Sequence, residues 1–165
     1  MANRQQQHSS DHQFEIHVHA VPEYLCVVRL AVRKAAEIAG LAASDLDAVT
    51  LALEEALTNV IQHSYDGPCH KPILIKLDTV DTDDKGGMGL QIIVRDFGGQ
   101  VDPSKIRSRD LEDVRPGGLG VHIIRSVMDE VEYSCPADGG MQLRMTKYFC
   151  PTAGSSSSRV DAVRG

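Results

Sequence analysis

Glu55 and Asn59 stand four residues apart in residues 51–65, LALEEALTNVIQHSY. At helical spacing they lie one turn apart on a common side. A carboxylate can take a proton, and a carboxamide oxygen can ligate a hard cation such as Mg²⁺. The same two residues on a solvated face would do neither, and Glu-x-x-x-Asn is too short a pattern to decide. Asp96-Phe97-Gly98-Gly99 follows an expected strand that ends in an apolar run, with one residue between it and Val94. A carboxylate there would accept from an exocyclic amine such as adenine N6 and repel the carbonyl oxygen that guanine carries instead. Without a ligand the same residues are an ordinary exit from a strand. Gly117-Gly118-Leu119-Gly120 is a glycine-rich turn into an apolar helical pattern, where free N–H groups and the helix dipole favour phosphate. It matches neither the Walker loop nor the Gly-x-Gly-x-x-Gly pattern, and by itself is equally a helix entry with unusual dihedrals.

Three kinds of element must position these groups. Leu46, Val49, Leu53, Leu57 and Val60 recur at three- and four-residue steps, so a helix with one buried ridge carries Glu55 and Asn59 on another side. Ser44, followed by Asp45 and Asp47, is the expected start of that helix, and Asp66-Gly67-Pro68 its exit loop. An earlier helix opens at Pro22, buries Leu25, Val28, Val32, Ala35, Ala36 and Ala39, and stops at Gly40. A third helix, opened by the glycine turn, presents Leu119, Ile123, Ile124 and Val127. Strands are expected at 13–19, 73–77, 90–94, 131–135 and 141–149, with 78–87 a hairpin loop. On the first strand His17 and His19 share the outer face, a spacing compatible with a metal but also with a polar sheet surface.

The whole chain narrows the function classes. Its 165 residues, 42% hydrophobic, suit one domain with its own core. No apolar run approaches the roughly 20 residues of a membrane span, and the opening MANRQQQHSSDHQ lacks a signal peptide's apolar stretch. A cytoplasmic protein with no membrane partner is expected. Cys26, Cys69, Cys135 and Cys150 are scattered without a Cys-x-x-Cys pair, which fits structural thiols better than a disulfide framework or a zinc site. A net charge of −6 disfavours direct nucleic-acid binding. Residues 1–12 and the Ser-rich 151–165 read as disordered segments flanking a domain at 13–150. Residues 100–116 mix Lys105, Arg107, Arg109 and Arg115 with Asp102, Asp110, Glu112 and Asp113, the composition of a functional or mobile loop.

In this order the three motifs resemble the N, G1 and G2 boxes of the GHKL (Bergerat-fold) ATPase superfamily. Within it, residues 13–150 resemble the anti-sigma-factor serine/threonine protein kinases. Glu55-Ala56-Leu57-Thr58-Asn59 with His63 and Tyr65 is similar to that family's N box, and Arg115-Pro116-Gly117-Gly118-Leu119-Gly120 to its G2 box. The resemblance implies an α/β two-layer sandwich, its mixed, mostly antiparallel sheet covered on one face by helices. It implies ATP and Mg²⁺ as cofactors, Asn59 as the Mg²⁺ ligand, Asp96 with Gly98 as the adenine site, and Gly117, Gly118, Leu119 and Gly120 as the phosphate cradle. Glu55 would be the general base toward a protein Ser or Thr. Arg115, ahead of Arg107 and Arg109, would stabilise the transferred phosphoryl group at the end of a lid over 105–115. The implied substrate is a STAS-type anti-anti-sigma protein, the other partner a sigma factor, and the usual assembly a homodimer.

The pattern departs from the superfamily at residues 140–148, which hold no clear counterpart of its late Gly-Thr box, and at Phe97, a bulky residue inside the Asp96-Phe97-Gly98-Gly99 box that a ligand-free pocket could bury as core. Two other readings compete with the kinase that sequesters a sigma factor. One is a binding module in which nucleotide sets a partner surface without significant phosphoryl transfer, although such a module needs no base at Glu55. The other is a switch kinase acting on a phosphatase or sensor protein.

Overall fold

Pro22 pre-sets the backbone for the first turn of α1, Pro22–Ala39, which follows the edge strand β1, Phe14–His19. The computed structural model describes residues 14–82, 87–99 and 119–150. Helix α1 buries Val28, Val32 and Ala36, with Leu25, Ala35 and Ala39 packed at the margin. It ends where expected: Gly40 adopts φ 99°, and its N–H reaches the carbonyls of Ala36 and Glu37.

Helix α2 runs Ala43–Asn59 and buries the expected ridge of Leu46, Val49, Leu53 and Leu57, with Ala52 and Ala56 filling between. Its start differs from the sequence expectation. Ala42 holds the cap position without a side-chain bond, and Ser44 lies inside the first turn. The N–H groups of Asp45 and Leu46 instead close onto the Ala42 carbonyl, each at 3.0 Å, and Asp45 supplies the acid that complements the helix dipole. At Asn59 the α-helix gives way to a π-turn, Val60–Ser64, closed by the Tyr65 N–H on the Val60 carbonyl five residues back. The extra residue in that turn rotates everything after it relative to the buried ridge. Asp66 (φ 56°) and Gly67 (φ 119°) then reverse the chain.

The remaining elements are β2 (Pro72–Thr82), β3 (Gly87–Arg95), α3 (Leu119–Val127), β4 (Glu130–Ser134) and β5 (Gln142–Phe149). The sheet order is β1-β2-β3-β5-β4, and every pairing among the described residues is antiparallel. A mixed sheet was expected. Strands β3 and β4 do run the same way, but β5 lies between them, antiparallel to both, so no parallel pair forms among the described residues. The β2–β3 hairpin is also longer than its polar sequence suggests. Asp78 to Thr82 continue as strand and pair with Gln91 to Gly87, because the facing strand supplies the ladder regardless of side-chain polarity.

Ile73, Ile75 and Leu77 of β2, Leu90, Ile92 and Val94 of β3, and Leu143 and Met145 of β5 turn one face to the helices. Each such burial contributes roughly 1.5–3 kcal/mol relative to exposure. His17 and His19 stay exposed on the other face, as expected. His17 pairs with Glu15, and His19 stands edge-on to His70 with ring centroids 5.5 Å apart. The proposed flanking segments 1–12 and 151–165 and the charged lid 105–115 lie outside the described residues.

Candidate functional site

Asp96 follows the last residue of β3 and is only 2% exposed, so its carboxylate must be satisfied from within. One oxygen, Oδ1, accepts from the Gly98 N–H at 2.8 Å and the Met141 N–H at 3.3 Å. The other, Oδ2, accepts from the Ser64 hydroxyl at 3.0 Å. An ionised carboxylate offers about four acceptor positions. Three donors fix its orientation and leave acceptor capacity for a further donor such as an amine.

The walls of this end are backbone. A Cβ on Gly98 would stand 2.6 Å from the Ser64 carbonyl oxygen, so only glycine allows the loop after Asp96 to lie against the π-turn. Tyr65 completes the contact: its hydroxyl accepts the Phe97 N–H at 2.8 Å and donates to the Pro72 carbonyl at 2.6 Å. Burial raises the Tyr65 pKa, with Asp96 adding to the effect and the Phe97 bond opposing it, so the hydroxyl remains a donor. On the opposite side Arg95 bonds the carbonyls of Asp96, Gly139 and Met141 and the Asp138 carboxylate, and its guanidinium lies 4.7 Å from the Phe97 ring centroid. Phe97 itself is 43% exposed.

Glu55 and Asn59, both half-buried, face the start of α3. A Cβ on Gly120 would come within 2.8 Å of Glu55 Oε2 and 3.2 Å of both polar atoms of the Asn59 side chain. The preceding Leu119 is 60% exposed. The neighbouring Glu54 points elsewhere and bonds Arg29 of α1 at 2.9 Å. Adjacent glutamates on one helix thus serve different neighbours. A carboxylate and a carboxamide held at the glycine-opened end of a helix can take a proton and ligate a hard cation beside an anion bound by free N–H groups.

Of the residues picked from sequence, Glu55, Asn59 and Gly120 meet at one point, while Asp96 and Gly98 meet at a second against the π-turn that continues from Asn59. Leu119 opens α3 without joining either group. Arg115, Gly117 and Gly118 lie outside the described residues. Ser64, Arg95, Gly140 and the Met141 N–H were not picked. The only signal for Arg95 was a charge closing an apolar strand; Ser64 gave none, since the π-turn that aims it has no sequence signature.

An antiparallel sheet backed by helices, with a buried aspartate at a strand end and a glycine-opened helix against Glu and Asn, has the build of an ATP-binding sandwich. Residues 18–147 match the histidine kinase-like ATPase domain, and the chain belongs to that family. Among curated relatives it is similar to the serine-protein kinase RsbW of Halalkalibacterium halodurans, 32% identical over 152 residues and 82% of each chain. RsbW of Bacillus pumilus is 31% identical over 144 residues, 82% of this chain and 85% of that one. Two solved structures share the fold. The SiaB–SiaC complex from Pseudomonas aeruginosa aligns with TM-score 0.57 at 13% identity, over 81% of this chain and 88% of that one. The RsbU and RsbW domains of Rv1364c from Mycobacterium tuberculosis align with TM-score 0.54 at 17% identity, over 85% of this chain and 34% of that one.

Proposed function

We propose that the protein is an ATP-dependent serine/threonine protein kinase and anti-sigma factor that phosphorylates a STAS-type anti-anti-sigma protein and sequesters a sigma factor. The observation that carries the reading is the meeting of Glu55 and Asn59 at the glycine start of α3, with Asp96 buried and pre-oriented against Ser64, at the end of the π-turn that continues the same helical run. A module that only senses nucleotide has no use for a carboxylate at the phosphate end.

Asp96 accepts from the adenine amine, and Gly98 lets the backbone approach the base. Leu119 and Gly120, with Gly117 and Gly118 before them, present N–H groups to the phosphates. Asn59 fits a Mg²⁺ site: its side chain stands at the same glycine-lined point as Glu55, and a hard cation takes carboxamide and phosphate oxygens together. Bound there, Mg²⁺ would neutralise phosphate charge. Glu55 takes the proton from the attacking Ser or Thr hydroxyl, and Arg115 stabilises charge on the transferred group. We further propose that the working assembly is a homodimer in the cytoplasm. Among the described residues no helix is long and apolar enough to cross a membrane.

The test is transfer of labelled γ-phosphate from ATP to candidate STAS proteins, beside pull-down of partners with ATP or ADP present. Acid-stable phosphate on a STAS Ser or Thr, and ATP-favoured capture of a sigma factor, are expected. Binding of ATP and partner without transfer would leave a nucleotide-dependent binding module. Transfer to a phosphatase or sensor instead would make it a switch kinase.

A further inference from the structure

Arg95 is a charged side chain only 7% exposed, a placement that is costly unless its donors are matched. Its two terminal nitrogens meet four acceptors. The acceptors divide between two segments: the Asp96 carbonyl belongs to the exit from β3, and the Gly139 and Met141 carbonyls and Asp138 Oδ1 (2.8 Å) belong to the turn between β4 and β5. The guanidinium therefore bolts these segments together. Across the same seam the Asp96 N–H donates to the Met141 carbonyl at 3.0 Å, and the Met141 N–H returns a bond to Asp96 Oδ1 at 3.3 Å. That return bond is the longest of the three that orient the carboxylate, and so the most sensitive to any widening. Gly140, at φ 70°, shows how closely the seam is shut, since a Cβ there would lie 2.2 Å from the Asp96 carbonyl oxygen. Arg95 also lies against Phe97, the residue between Asp96 and the second donor, the Gly98 N–H. Two of the three bonds that aim Asp96 thus depend on segments that Arg95 holds.

We propose that Arg95 is a positioning residue for base recognition, which with Asp138 ties the aim of the Asp96 carboxylate to the β4–β5 turn. The proposal rests on the adenine reading of Asp96. Lysine at this position keeps the charge but cannot fork to several acceptors at once. The test measures affinity for ATP and for inosine triphosphate, which carries an oxygen where adenine carries its amine, in wild type, Arg95→Lys and Asp138→Ala. In Arg95→Lys the affinity for ATP should fall about tenfold, the size of one charge-assisted hydrogen bond, while that for inosine triphosphate stays at the wild-type value. In kinase assays the loss should appear in KM for ATP. Asp138 is 68% exposed at its side chain, so Asp138→Ala tests the same link without threatening the fold; about threefold weaker ATP binding is expected, again with inosine triphosphate unaffected. Unchanged ATP affinity in both variants, or equal losses for the two nucleotides, would overturn the positioning role. A wild type that binds both nucleotides alike would overturn the adenine reading itself, and this proposal with it.

Discussion

Gly140 and Gly120 sit at the two ends of the site, and each is pressed close to a neighbour, but the neighbours differ. Beside Gly140 stand the Asp96 carbonyl and the Phe97 Cα, and beside Gly98, at the same end, the Ser64 carbonyl. Beside Gly120 stand the tips of the Glu55 and Asn59 side chains. Backbone cannot yield without moving a strand, whereas a glutamate tip moves by changing rotamer. On the proposed reading the adenine end is therefore set before nucleotide arrives, its carboxylate already oriented by three donors. On the same reading the phosphate end is lined by side-chain tips that can adjust as nucleotide, cation and protein substrate come together. Recognition would then rest on rigidity, and transfer on groups free to close around the reacting atoms.

The sharpest way to break this contrast is Glu55→Gln, which keeps shape and removes the base. Phosphate transfer should fall about 10²–10⁴-fold while equilibrium ATP binding stays near wild type. Wild-type transfer would remove Glu55 from the chemistry. Gly140→Ala addresses the rigid end. A left-handed alanine costs roughly 1–2 kcal/mol, and the clash with the Asp96 carbonyl adds about 1–3 kcal/mol. Denaturant titration should show that loss of stability, whereas a variant as stable as wild type would mean the seam can give. Asp96→Ala removes a buried charge-assisted acceptor, and calorimetry should find ATP binding weakened by about 1.5–3 kcal/mol with no comparable change for a guanine nucleotide. Equal ATP affinity in the two proteins would sink the assignment. The smallest effect belongs to Ser64→Ala, which deletes one neutral donor to Asp96 Oδ2 and should weaken ATP binding by about 0.5–1.5 kcal/mol without slowing transfer at saturating ATP. A drop in the transfer rate itself would show that the two ends are less independent than their walls suggest.

How much of this was legible depended on sequence distance. The ridge of α2 and the stripe of α1 were readable because their periodicity repeats within one helix. The meeting of Glu55 and Asn59 with Gly120 followed from the motifs through a family resemblance, not from spacing, since some sixty residues intervene. Ser44 was misread as a cap because a hydroxyl near a helix start suits the first turn as well as the cap position. Residues 78–82 were misread as loop because their polarity hides a pairing that β3 enforces. The least legible parts were Ser64, which depends on one extra residue in a helical turn, and Arg95, whose acceptors on the β4–β5 turn lie more than forty positions away. Polar contacts between distant segments leave no periodic trace.

The place of β5 in the sheet has a consequence for how the protein is made. The last strand of the described residues in chain order, Gln142–Phe149, is an inner one, flanked by β3 on one side and β4 on the other. Until it emerges, β4 lacks the strand it pairs with among the described residues, and β3 keeps an open edge along Leu90, Ile92 and Val94, the kind of apolar edge that recruits other chains. Inserting it closes contacts between segments far apart in sequence, a slow step for a nascent chain. Met141, immediately before that strand, supplies the N–H that completes the hold on Asp96. A nascent chain halted before that strand therefore carries Glu55 and Asn59 already on their helix but lacks one of the donors that aim Asp96, and on the proposed reading a nucleotide that binds only the completed fold would favour chains that have β5 in place.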